Sequence, residues 1–111
     1  MTAMLKTGLL ALFMMQLVQG AAFAFTPLEK SSQVETVLQG QKYCGYSLDY
    51  KAEQDLFKRV GITVGKATEL AFEYSLTTKV IEVYEDPSKK DGMCRIARSI
   101  LWDLGFEQTS E

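Results

Sequence analysis

The stretch Ser88–Gly105, SKKDGMCRIARSILWDLG, decides how the fold is read. Met93, Ile96, Ala97, Ile100, Leu101 and Leu104 recur at steps of three and four, which lays them along one apolar stripe of a helix. Ser88 stands three residues before Asp91, the spacing at which two side chains answer each other's free N–H groups in a first turn. Gly105, just past the last periodic residue, can close the helix in the left-handed conformation, with Phe106 folding back onto the final turn. This reads as the helix the domain is built around. It carries Cys94, whose one possible partner in the chain is Cys44.

Upstream, Glu85-Asp86-Pro87 ends the preceding element, because Pro87 restricts its neighbour and cannot continue a helical run. Thr77–Tyr84 is rich in β-branched residues and suits a strand on propensity alone. A lone strand would lack a partner, however, and Ala67, Leu70, Tyr74 and Ile81 share a helical face, so helix is expected from Lys66 onward. Between Val60 and Gly65 two readings stand. One runs a helix through Gly61 and Gly65, which would share a face; the other, favoured because glycine and β-branched residues weaken a helix, breaks it and caps a new one with Thr63. Before the break, Asp49 or Ser47 caps a helix whose apolar side is Leu56, Phe57 and Val60.

The first helix is expected to start at Ser31 or Ser32, with Glu35 in the capping-box relation to Ser32, and to run to about Cys44, where Gly45 stops it. Residues 25–30 read as an extended arm and 107–111 as a fraying tail. Ahead of these, Lys6, the short apolar run Gly8–Val18 and the small-x-small pattern Ala22-Phe23-Ala24 mark residues 1–24 as a cleavable signal peptide. The run is too short to span a bilayer comfortably, and no stable membrane insertion is expected after cleavage. The sequence thus specifies an all-α domain over residues 25–111, a small four- to five-helix bundle with one long-range disulfide. Periplasmic or secreted localisation follows from the leader and the cysteine pair. Such a small core gains much from a covalent staple.

Composition excludes more than it assigns. Loss of the leader takes Lys6 with it and moves the formal charge from −2 to −3, and no basic run exceeds Lys89-Lys90, so nucleic acid is not an expected partner. The chain has no histidine, the usual general base, metal ligand and neutral-pH switch. No glycine-rich phosphate loop is present, and the carboxylate pairs Glu69/Glu73 and Glu82/Asp86 read as a solvated ridge. No catalytic residue, metal site or cofactor is expected.

Aromatic residues carry the remaining signal. Tyr43, Tyr46 and Tyr50 surround Cys44, and Trp102 sits toward the flank of the core face of the last helix, with Arg95 and Arg98 on its other side. Tyrosine, tryptophan and arginine are the residues interfaces favour, and these six are the candidate partner-binding set. The layout of leader, compact helices and one long-range disulfide resembles that of small periplasmic groups such as HdeA-type acid-stress chaperones and helical immunity proteins against cell-wall hydrolases. It is a likeness of layout and carries no site residue across. The expected function is non-enzymatic binding of another protein, for instance as inhibitor or immunity protein of a secreted enzyme. An envelope stress chaperone and a carrier of a small apolar ligand are the alternatives.

Overall fold

Thr26 and Pro27 set the first helix. The Thr26 hydroxyl accepts from the Glu29 N–H at 3.1 Å while the Glu29 carboxylate accepts from the Thr26 N–H at 2.9 Å, a complete capping box. Pro27 occupies the first helical position, where its missing N–H had no partner to lose. Helix α1 therefore spans Pro27–Gly40, and the expected extended arm over residues 25–30 is helical from Pro27. Ser31, expected as a cap, lies inside the helix, fully buried, and donates its hydroxyl to the Ala67 carbonyl at 3.0 Å. The computed structural model describes residues 25–107; the signal-peptide reading of residues 1–24 and the end of the tail lie outside them.

Helix α1 also stops early, at Gly40 and not at Cys44. Past it the N–H groups of Lys42 and Tyr43 reach back three residues, to the carbonyls of Gln39 and Gly40, so the ladder tightens into turns and Cys44 falls in the connection. Helix α2, Tyr50–Val60, starts on Asp49, whose carboxylate accepts from the Ala52 N–H at 2.8 Å. It ends at Gly61, whose φ of 89° only glycine adopts cheaply, with the N–H groups of Gly61 and Ile62 both on the Phe57 carbonyl. The break at Gly61 is therefore real, and Thr63 caps helix α3, Val64–Glu73, by accepting from the Lys66 N–H at 3.1 Å.

Thr77–Tyr84 is helical, within α4, Leu76–Glu85, but α3 does not run into it. Ser75 is left-handed at φ 52°, a conformation that costs a non-glycine residue about 1 kcal/mol. The corner lets two separate apolar faces meet α1, Ala67, Leu70 and Ala71 from α3 and Val80 and Tyr84 from α4. Helix α5, Lys90–Asp103, follows the turn at Pro87. Ser88 does not cap it. Its N–H and hydroxyl both donate to Asp86, at 2.9 and 2.7 Å, and together with nearby Lys89 they hold the Asp86 carboxyl below its ordinary range. At the far end Gly105 has φ 86° and the Phe106 N–H reaches the Leu101 carbonyl at 2.9 Å, the closure read from the sequence. Arg59 locks it, its guanidinium 4.5 Å above the Phe106 ring and donating to the Leu104 carbonyl at 2.9 Å.

Among the described residues the chain is all-helical, with five helices and one disulfide. Its centre is α1, which packs against each of the other four, whereas the sequence pointed to α5. Val34 and Val37 of α1, Leu56 of α2 and Leu101 of α5 form one buried cluster, and Cys44, Val80, Tyr84 and Cys94 a second. Within α5 the buried line is Cys94, Ala97 and Leu101; Ile96, assigned to the stripe, is 53 % exposed. Cys44 and Cys94 are bonded, their Cα atoms 5.4 Å apart across 50 residues of chain.

Candidate functional site

The tyrosines around Cys44 separate into two environments. Tyr46 donates its hydroxyl to the Val37 carbonyl at 2.6 Å, and Tyr84 donates to the Thr36 carbonyl at 2.5 Å. Both hydroxyls converge over Gly40, where a Cβ would collide with each of them. Tyr46 thereby satisfies one of the last four carbonyls of α1, which have no helical partner, and Tyr84 adds a bond to the carbonyl just before them. Tyr43 stacks flat on Tyr84, ring centroids 5.1 Å apart, and donates to Glu85 at 3.2 Å. Tyr50, in contrast, is 76 % exposed on the first turn of α2. Tyr43 and Tyr46 thus have packing roles, and Tyr50 alone of the three stands clear of the core.

Burial pushes the Tyr84 hydroxyl up to about 12, and it raises Tyr46 too, with Tyr84 beside it adding to the effect. Tyr43 is raised by burial first and then by its bond to the Glu85 carboxylate. A phenol whose folded pKa is raised favours the protonated, folded state. The stability that Tyr84 contributes is complete below the unfolded value of 10.0 and is lost as pH rises through about 12. Alkaline titration should therefore show tyrosinate absorbance and loss of helical circular dichroism rising together in that window. Ionisation of all the tyrosines without loss of helix would contradict the buried double cap.

The last helix presents the other candidates. At about 100° per residue, Trp102 falls within roughly 20° of Arg95 and Arg98 within roughly 60° of it; Trp102 lies roughly 100° from Leu101, and Arg98 borders the buried line at roughly 40° from Cys94. Trp102 is 71 % exposed. Beside this face a groove of about 480 Å³ opens between the 41–45 turn and α5. Its floor is the disulfide, Tyr43 forms one wall, and Lys90, Arg95 and Arg98 line it with Asp91 as the one carboxylate. Arg98 is anchored by donating to the Cys44 carbonyl across the groove. Among the described residues Lys90 and Arg95 enter no ion pair, although Asp91 stands one turn from Arg95.

Sequence reasoning named Arg95, Arg98 and Trp102 but not Lys90 or the groove. The groove arises where Cys44 and Cys94 meet, and the spacing of cations along α5 was its only local sign. A second groove of about 450 Å³, lined by Phe57, Ile62 and Val64 with Lys51, Asp55 and Lys58, lies at the α2–α3 junction, and both are open to solvent. Among the described residues no group of His, Cys, Asp and Glu is arranged to hold a metal, and no helix is long and apolar enough to cross a membrane. No protein-family model, no curated protein and no solved structure matches this chain, so its function is read from these positions alone.

Proposed function

We propose that this chain is a non-enzymatic, extracytoplasmic binding protein that engages another protein through the outer face of α5, as an inhibitor or immunity protein of a secreted enzyme would. The observation that carries this reading is Trp102, 71 % exposed and in one sector of α5 with Arg95 and Arg98, beside the buried line of Cys94, Ala97 and Leu101. A tryptophan held in water loses hydrophobic free energy that a partner surface would restore, and tryptophan with arginine is the composition of binding hot spots. The disulfide fixes this helix to the turn after α1, so the face is presented rigidly and little ordering accompanies binding.

The two alternatives find less support. An acid-loosened chaperone needs carboxylates whose protonation opens the core, and among the described residues the buried polar side chains are Ser31 and Thr36. A carrier of an apolar ligand needs an enclosed cavity, and the two grooves described above are open to solvent.

Trp102→Ala should leave thermal unfolding within about 0.5 kcal/mol of the parent, as exposed positions do, while weakening partner binding by roughly 2 kcal/mol or more. A photo-crosslinking residue at position 99, exposed on α5 one turn before Trp102, should yield a discrete adduct in the exported fraction, and one at Lys79, on the exposed side of α4, should not. Equal labelling from the two positions would remove the case for this face.

A further inference from the structure

We infer that the groove beside the disulfide is the specificity pocket of this surface and takes a carboxylate-bearing segment of the partner protein. The inference rests on the α5 reading above and gives its partner a chemistry. Three cations, Lys90, Arg95 and Arg98, face one carboxylate, Asp91, in a chain whose formal charge is −2. The groove is thus locally opposite in sign to the molecule that carries it. Such a concentration of like charge is unfavourable in the free protein and is relieved when an anion enters.

Geometry selects the kind of anion. Arg98 donates to the Cys44 carbonyl and lines the groove as a positive charge fixed in place, and Arg95 stands one turn earlier on the same helix. The Arg95 guanidinium can meet a carboxylate in a two-bonded arrangement, whereas Lys90 contributes a point charge. The volume of about 480 Å³ lies within the range of about 300–1,000 Å³ typical of pockets that take small groups. The floor is fixed, because Cys44 and Cys94 are covalently joined and each is about nineteen-twentieths buried. Trp102, two turns beyond Arg95, lies along the path a bound segment would follow, and an aromatic anchor beside a charged pocket gives both affinity and register.

The test uses the oxidised protein and two fluorophore-labelled peptides of equal length, one all glutamate and one all glutamine, followed by anisotropy at low salt. The glutamate peptide should bind and weaken as salt rises; the glutamine peptide should not bind. Lys90→Gln with Arg95→Gln should weaken the glutamate peptide about tenfold or more without lowering the unfolding midpoint, since neither side chain is ion-paired in the fold. Arg98 is left in place because it holds the turn.

Equal binding of both peptides would overturn carboxylate recognition. Undiminished binding by the double variant would move the anion site elsewhere. Binding of phosphatidylglycerol vesicles in preference to the peptide, lost in the same variant, would make the groove a membrane contact and overturn the proposal. So would concentration-dependent self-association that the double variant abolishes, because the occupant would then be a second copy. Failure here is separable from failure of the α5 surface: Trp102→Ala reports on the surface through partner binding, and the charge variants report on the groove through the peptide.

Discussion

Replacing both members of the disulfide, Cys44→Ala with Cys94→Ala, should lower the stability of the domain by about 4 kcal/mol. That figure is the denatured-chain entropy released when a loop of 50 residues is opened. Small domains have only about 5–15 kcal/mol in all, so the loss is a large share of what holds the helices together. At roughly 4–8 °C per kcal/mol for a chain of this size, the melting temperature should fall by about 15–30 °C. Calorimetry of the double variant against the oxidised parent measures it, and a shift of under about 5 °C would mean that the helices hold without the staple. The bond also fixes the turn after α1 against α5, where Arg98 meets the Cys44 carbonyl. The variant should therefore lose the groove before it loses its helices.

Tyr84→Ala should be nearly as damaging, at about 3–5 kcal/mol, the usual cost of cutting a buried aromatic to alanine. Tyr84 is 1 % exposed, stacks on Tyr43 and donates to the Thr36 carbonyl. Tyr84→Phe keeps the ring and removes only the hydroxyl, so about 1 kcal/mol should be lost. Urea titration of the two variants separates packing from the hydrogen bond. If alanine and phenylalanine lose the same amount, the hydroxyl and not the ring anchors α4 to α1. If alanine loses less than about 1 kcal/mol, the second core cluster does not depend on Tyr84.

What the sequence made legible was local chemistry with a short reach. Asp49, Thr63, Gly61 and the pair Gly105-Phe106 each act on backbone groups within a few residues, and each does in the fold what its spacing implied. The cysteine pairing was legible because only two cysteines exist. Misread features depend on contacts far along the chain or on competition between two plausible signals. Ser31 and Ser32 resembled caps, but Thr26-Pro27 and Glu29 act first, which leaves Ser31 free to reach Ala67. Ser75 carries no sign of a corner in its own type; the turn follows from two faces each seeking α1. Tyr46 and Tyr84 sit 38 positions apart and meet only because both reach Gly40.

The candidate site was half legible. The side chains of Arg95, Arg98 and Trp102 could be named from their types, and their common direction follows from helical spacing alone. The groove could not, because its wall and floor come from Tyr43 and the Cys44–Cys94 bond. Tyr46 meets the end of α1 through the same property that suits a tyrosine to an interface, an apolar ring ending in a donor.

The central position of α1 has a consequence for how the chain matures. It precedes every helix it touches, so as the polypeptide emerges from the ribosome or a translocation channel, its apolar side appears first and waits. Leu101, which completes the cluster around Val34 and Val37, is more than sixty residues behind. At about 5–20 residues per second that is a delay of roughly 3–13 s. For most of it Cys44 has no Cys94 to oxidise with, and the tyrosine seat over Gly40 lacks Tyr84. The nascent chain is thus a holder of unpaired apolar surface and a single thiol until α5 arrives. Its folding is governed by the last helix to emerge, although its architecture is governed by the first.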